Sequence, residues 1–141
     1  FVHRDEVMTD YPGARCFNWG DNVTCDIVLR GSNNKEAVAS VQDEYQYRYA
    51  GKAPYKMATT LRNMTAAMNE PETSDKWFIS FASATAVPVD GPVKFSEKVN
   101  PALAHELQGI HKNCGIVLID FAGTEDGKRL ICHIIETNFH E

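Results

Sequence analysis

The sequence has no apolar run near the roughly 20 residues that a membrane-spanning helix needs, and no run of Lys or Arg. Its formal net charge is -5, with 14 Lys and Arg against 19 Asp and Glu. Proteins that bind nucleic acid contact its phosphates through a basic patch, so this charge argues against a nucleic-acid partner. A small phosphorylated ligand stays compatible with it.

The opening residues also lack the charged segment and apolar stretch of a signal peptide. The chain begins with Phe1 rather than Met, so we expect a mature product or an excised piece. Its 141 residues, 43% of them apolar, are enough for one domain with a hydrophobic core.

The cysteines form no CxxC pair and have no histidine at zinc-finger spacing, so we expect neither a metal site nor a cofactor. Cys16 and Cys25 enclose a short segment with the glycosylation sequon 22–24, and a second sequon covers residues 63–65. We therefore predict a Cys16–Cys25 disulfide and a secreted, extracellular protein. The alternative is that all four cysteines are buried free thiols.

From residue 37 onward, short apolar runs alternate with stretches of helical period. This rhythm is typical of βα units around a parallel sheet, and it predicts strands at 37–42, 77–83 and 115–121. Residues 1–36 have no clear period, and we interpret them as an elaborated loop with a short strand at 25–31. The predicted organisation is therefore 1–36 as this loop and 37–141 as three βα units.

Three helices follow the three predicted strands. The first begins near Pro54 and carries an apolar stripe, the second begins at residues 100–101, and the third is capped by Asp126. The stripe of the first helix is Met57, Leu61, Met64 and Met68, and the inward face of the third is Leu130, Ile131, Ile134 and Ile135. Residues 84–98, with two prolines and one glycine, are predicted to form a loop.

Carboxylates stand at the ends of two predicted strands. Asp43 and Tyr45 follow the first strand, and Asp120 follows the apolar run 116–119. The carboxyl ends of parallel strands form the binding face of such folds, and residues two apart on a strand share a face. Asp43 and Tyr45 are thus suited to a polyhydroxylated ring. Alternatively, Asp43 caps a loop and Asp120 pairs with a basic neighbour.

Several segments in order resemble a known family: FNWGDN, VQDEYQY, KWFISFASATA, VNPALAHELQGIHKNCGIVLIDFAG and LICHIIETNF. Together they are similar to the C-terminal half of bacterial-type phosphatidylinositol-specific phospholipases C, of the kind also found in secreted fungal proteins. The resemblance implies the C-terminal portion of a TIM-like (β/α) barrel. It also implies an enzyme that cleaves phosphatidylinositol to diacylglycerol and a cyclic inositol phosphate.

The resemblance assigns roles to three residues. Asp43 and Tyr45 match the inositol-binding pair, and Asp120 matches the carboxylate that orients the general base histidine, which makes it the catalytic candidate. The family's two catalytic histidines and its phosphate-binding arginine lie in the N-terminal half. No histidine here has a matching context; the five are His3, His105, His111, His133 and His140.

A complete (β/α)8 barrel takes about 250 residues, so the missing N-terminal half-barrel is an expected partner. We predict that the chain alone is inactive. The alternative to an enzyme part is a non-catalytic half-barrel that binds inositol headgroups or serves only as a structural piece.

The predicted loop 84–98 is unusually apolar for a loop and follows the second strand. Its position on the same rim as Asp43 predicts peripheral contact with a membrane surface. The predicted contacts are Val87, Val89, Val93 and Phe95. The alternative is an ordinary loop folded onto the neighbouring helix.

Overall fold

The computed structural model describes residues 2–3, 13–16, 18–31 and 33–139. Six strands form one sheet in chain order, and three helices accompany it. The strands are β1 (Val2–His3), β2 (Ala14–Cys16), β3 (Thr24–Gly31), β4 (Glu36–Gln42), β5 (Trp77–Phe81) and β6 (Ile116–Leu118). The helices are α1 (Ala53–Met68), α2 (Pro92–Leu107) and α3 (Glu125–Glu136), and a short 3-10 helix (Ala50–Lys52) precedes α1.

The sheet is mixed. β1 is parallel to β2, β2 to β4 pair antiparallel, and β4, β5 and β6 are parallel. Parallel neighbours need a crossover connection, which α1 provides between β4 and β5 and α2 between β5 and β6. With α3 after β6, this gives the three predicted βα units of a partial TIM-like barrel, and the predicted fold class is confirmed.

The N-terminal region contains more strand than the sequence indicated. The short strand expected at 25–31 is observed as β3, and β2 pairs with it through Ala14 and Gly31. β2 was not predicted, because three residues carry no detectable period. Residues 4–12 of the predicted elaborated loop lie outside the described residues.

Two apolar clusters cover the two faces of the sheet. One face, here called the helix face, is covered by the helices. Met64 of α1 and Phe95 and Leu103 of α2 belong to the apolar cluster on this side. The opposite face, here called the inner face, carries a smaller cluster. The buried members of that cluster are Cys16, Ile27, Leu29, Ala39, Val41 and Ile79.

Helix α1 follows the sequence prediction closely. Pro54 lies in its first turn, where a missing backbone N–H costs no hydrogen bond. Met64 is fully buried, and the other members of the predicted stripe pack partly buried against the same cluster. The helix ends before Pro71, with Asn69 as its C-cap.

Helix α2 begins at Pro92, eight residues before the predicted start, so the predicted loop 84–98 is wrong over its second half. Pro101 lies inside the helix rather than in its first turn. The periodicity that the prediction missed is Phe95, Val99 and Leu103, which recur every four residues and are fully buried. This burial outweighs the lost backbone hydrogen bond at Pro101.

The predicted membrane contact at Phe95 is wrong for the same reason. Phe95 is 0% exposed and packs against the ring of Tyr47 at a centroid distance of 5.6 Å. Burying such a side chain contributes about 1.5–3 kcal/mol, which would be lost if it turned outward to a membrane. At this residue the alternative, packing onto the neighbouring structure, is what the molecule shows.

The predicted Cys16–Cys25 disulfide is also wrong, because both residues are free thiols. Cys16 lies opposite Leu29 in the β2–β3 ladder, so Cys25 is four residues further along β3. At about 3.3 Å per residue that is roughly 13 Å, while bridged Cα atoms lie within about 7 Å. Pairing between strands thus holds the two cysteines apart.

Helix α3 is capped by Thr124, not by Asp126 as predicted. The Thr124 hydroxyl accepts a hydrogen bond from the Gly127 N–H at 3.1 Å, and Asp126 lies in the first turn. Leu130 is fully buried as expected, whereas Ile135 is exposed.

Candidate functional site at the carboxyl edge of the sheet

Parallel pairing aligns the ends of β4, β5 and β6 at one edge of the sheet. Gln42 pairs with Ser80, and Phe81 pairs with Leu118, so the residues that follow these strands meet at this carboxyl edge. Asp43 comes directly after β4, and Asp120 comes two residues after β6.

Asp43 lies on the inner face and is buried, with 9% of its surface exposed. The Trp19 indole Nε1–H donates to its Oδ2 at 2.7 Å, and its own backbone N–H donates to the Val23 carbonyl at 3.2 Å. The Trp19 ring stands edge-on to Phe81 at 6.0 Å. The segment before β3 therefore fixes both the backbone and the carboxylate of Asp43.

Tyr45 is held by the same segment. Its hydroxyl donates to Asp21 Oδ1 at 2.9 Å. Its backbone N–H and that of Gln46 both donate to Asn22 Oδ1, at 2.9 and 2.8 Å. Asn22 has a φ of 53°, a left-handed conformation that asparagine adopts more readily than most residues. The sequence alone indicates no role for Trp19, Asp21 or Asn22, because their partners lie more than 20 residues away along the chain.

Glu44 points away from Asp43 and Tyr45, as alternation along the chain predicts. Its carboxylate accepts a hydrogen bond from the Thr24 hydroxyl at 2.7 Å. Its backbone carbonyl accepts one from the Lys56 ammonium at 2.6 Å.

Lys56 is a polar residue of this edge that sequence reasoning missed. Its side chain is fully buried and also lies 3.4 Å from the Gln42 Oε1. Burial lowers the pKa of Lys56 from 10.5 to about 8, against the opposing attraction of Asp43, Glu44 and Asp120. The signal was present in the sequence: Lys56, Thr60 and Asn63 recur at helical spacing and form a buried polar stripe beside the methionines.

Asp120 is half-buried at the same edge. Burial raises the pKa of its carboxyl, and the charge of Lys56 counteracts this. The Asn100 Nδ2 donates to the Asp120 backbone carbonyl at 3.0 Å. Lys56 is thus the cation that acts on Asp120. It is the basic neighbour that the alternative for Asp120 requires.

The histidines whose side chains are described lie away from this edge. His105 and His133 lie in the last turns of α2 and α3, which run back to the amino ends of the strands. His111 lies just before β6 and lines a cavity of about 840 Å³ at the amino edge, together with Lys76 and Trp77. The side chain of His3 and residue His140 lie outside the described residues.

Three of the four predicted membrane contacts are exposed. Val87 and Val89 lie in the turn after β5, at 72% and 65% exposure, and Val93 lies in the first turn of α2 at 48%. The Ala50 N–H donates to Asp90 Oδ2 at 2.6 Å and ties this turn to the short 3-10 helix that precedes α1. Their contact with a membrane stays a prediction.

Among the described residues no helix is long and apolar enough to cross a membrane, and no metal-binding cluster occurs.

The pKa of Lys56 predicts a pH dependence of stability. A folded pKa below the unfolded value means that the unfolded chain binds more protons between about pH 8 and 10.5, so stability rises with pH across this window. A lowering of this size corresponds to about 3 kcal/mol. Lys56→Met should remove this rise.

The measurement is urea unfolding between pH 7 and 10 of wild type, Lys56→Met and Lys52→Met. Lys52 is a half-exposed lysine just before α1 and serves as the matched control. Identical pH profiles for all three proteins would contradict the assignment.

Comparison with known proteins finds similarity in structure alone. No family model matches the chain, and no curated protein matches it. A double mutant and a single mutant of the phosphatidylinositol-specific phospholipase C from Staphylococcus aureus each superpose with a TM-score of 0.69 at 22% identity, over 89% of this chain and 40% of theirs. A structure from work on membrane binding of the same S. aureus enzyme gives 0.67 at 20% identity, over 88% and 40%. This chain therefore spans about 40% of the length of those enzymes, and it has the fold of that part of them.

Proposed function

We propose that the chain is part of a phosphoric diester hydrolase or lyase that cleaves phosphatidylinositol or a related inositol phosphodiester. Asp43 and Tyr45 bind the inositol ring, and Asp120 orients the general base histidine. The observation that supports this most is the fixed placement of Asp43 and Tyr45 on the inner face, at the carboxyl edge of a sheet with the phospholipase C fold.

The two residues supply complementary chemistry. A carboxylate accepts hydrogen bonds from ring hydroxyls, and a phenol ring packs on the apolar face of a polyhydroxylated ring. Trp19 already donates to one oxygen of Asp43, so the orientation of the carboxylate is set before a ligand arrives. Such preorganisation reduces the cost of binding.

Asp120 has the environment of an orienting carboxylate. A half-buried acid whose ionised form is favoured by a nearby cation can accept a hydrogen bond from one imidazole nitrogen and fix the tautomer of the ring. In this proposal the histidine comes from a partner N-terminal half-barrel. That half would also cover Trp77, Ile116 and Leu118, which leave 41–47% of their surfaces exposed on the inner face.

The membrane surface and secretion are further parts of the proposal. Val87 and Val89 would contact lipid beside the headgroup site. Secretion is supported by the sequon at Asn22, whereas the sequon at Asn63 adds no support because that amide is buried and donates to the Ser80 hydroxyl.

A second candidate function is headgroup binding without catalysis. The observation that favours it is that no histidine side chain within the described residues lies at the carboxyl edge. Both candidates use Asp43 and Tyr45, and they differ in whether a second half supplies a base.

Ligand binding at Asp43 should change the fluorescence of Trp19. In a Trp77→Phe background Trp19 is the remaining tryptophan, and it is hydrogen-bonded to the carboxylate that the ligand would engage. We expect glycerophosphoinositol to change the emission in a saturable manner and Asp43→Asn to weaken binding about tenfold, the loss of a charge-assisted hydrogen bond. A matched Asp26→Asn variant, altered at an exposed residue of β3, should bind normally. Equal affinities in the two variants would contradict the site.

The chain alone should not turn over an inositol phosphodiester, because general acid–base groups and charge stabilisation account for most of such a barrier. The assay is incubation of purified 1–141 with a fluorogenic inositol phosphodiester. A rate well above blank that disappears in Asp120→Ala would show that the chain carries its own base.

The double substitution Val87→Ser and Val89→Ser should weaken binding to vesicles that contain phosphatidylinositol, since exposed apolar area drives interfacial binding. Sedimentation with the vesicles measures this. The control is Val28→Ser, on the helix face of β3 at 40% exposure. If the control loses as much binding as the double variant, the turn has no membrane role.

A further inference from the structure

Side chains of two helices donate hydrogen bonds to the backbone of the candidate site. From α1, the Lys56 ammonium donates to the carbonyl of Glu44, between the candidate ligands Asp43 and Tyr45. From α2, the Asn100 amide donates to the carbonyl of Asp120. Both donors are buried, at 0% and 1% exposure. Two polar side chains from different helices thus end on main-chain oxygens at the ends of two parallel strands.

Lys56 is the costlier of the two donors. A buried ammonium loses its hydration, and a fold retains it only where nearby dipoles or charges compensate. The oxygens that accept its hydrogen bonds, the Glu44 carbonyl and Gln42 Oε1, are neutral. The charges that compensate it are Asp43 and Glu44 after β4 and Asp120 after β6. The carboxylates of the candidate site thus favour the charged form of one buried lysine.

The rest of the polar stripe on α1 shows what a purely structural residue does here. Asn63 is 5% exposed, and its Nδ2 donates to the Ile79 carbonyl and the Ser80 hydroxyl while its Oδ1 accepts from Ser40. These contacts fall within β4 and β5, not at their ends. Asn63 thus ties α1 to the middle of the sheet, and Lys56 ties it to the carboxyl edge.

We propose that Lys56 is a positioning residue: its ammonium fixes the backbone between Asp43 and Tyr45, and its charge acts on the Asp120 carboxylate at the same edge. The inference deepens the proposed function, since it names a residue that prepares the inositol-binding and base-orienting carboxylates without touching substrate. A lysine without this role would only fill space beneath the edge.

The test is carbon- and nitrogen-detected NMR of the unliganded 141-residue chain. In wild type, a titration from pH 7 to 9.5 should show one inflection near pH 8 at three nuclei: the Lys56 Nζ, the Asp120 Cγ and the Tyr45 amide nitrogen. The Tyr45 amide is bonded to the Glu44 carbonyl carbon, whose oxygen accepts the Lys56 hydrogen bond. In Lys56→Met this inflection should vanish, and the Trp19 indole signal should shift as Asp43 is released. Asn63→Ala removes the hydrogen bonds of Asn63 to β5 but keeps Lys56. It should therefore lose stability and keep the wild-type inflections.

The wild-type titration decides the proposal even if Lys56→Met does not fold. An inflection confined to the Lys56 Nζ, with no response at Asp120 or Tyr45, would reduce Lys56 to a structural residue. Equal responses in Lys56→Met and Asn63→Ala would do the same. These signals need no ligand, so either result leaves the proposed function standing, and a failure to bind glycerophosphoinositol leaves the role of Lys56 standing.

Discussion

The parallel pairing of β4, β5 and β6 is the constraint on which the rest of the site depends. Parallel strands end at the same edge, so the chain brings Asp43 and Asp120 to one rim although 77 positions separate them. The antiparallel β3 begins at that rim, so residues 19–23, which directly precede it, lie there and hold Asp43 and Tyr45. Without this register, the carboxylates would be unrelated surface acids.

The helix layer serves the site as well as the core. Phe95, Val99 and Leu103 fill the space between α2 and the sheet, and this packing sets the position from which Asn100 reaches Asp120. Apolar burial thus supplies the stability that a buried ammonium at Lys56 reduces. Functional edges of proteins commonly contain such costly groups, because perturbed charges there serve binding or catalysis.

The sequence predicted what local periodicity encodes. The stripe of α1 and the apolar runs of the parallel strands are strong repeating signals, and their alternation predicts βα units around a parallel sheet. The partial TIM-like barrel is what the resemblance to the phospholipases C implies. Asp43, Tyr45 and Asp120 could be identified because they directly follow those runs. The early start of α2 is hidden from local patterns because a proline such as Pro101 is typical of the first turn of a helix, whereas here it lies inside one.

Other features depend on contacts between residues distant in sequence. The strand β2 is defined only by its pairing with β3, and the separation of Cys16 from Cys25 depends on the register of that pair. The hydrogen bond from Lys56 to the Glu44 carbonyl depends on how closely α1 packs against β4, and no local pattern encodes that packing. The roles of Trp19 and Asn22 have the same origin.

In the proposed function, the carboxyl edge binds the inositol ring of a phosphodiester. A crystal structure of the chain with glycerophosphoinositol tests it most directly. The ring hydroxyls should lie within about 3 Å of the Asp43 carboxylate, with the ring against Tyr45 and the Trp19 hydrogen bond retained. Glycerophosphoinositol seated instead in the amino-edge cavity beside Trp77 and His111, with the carboxyl edge empty, would contradict it.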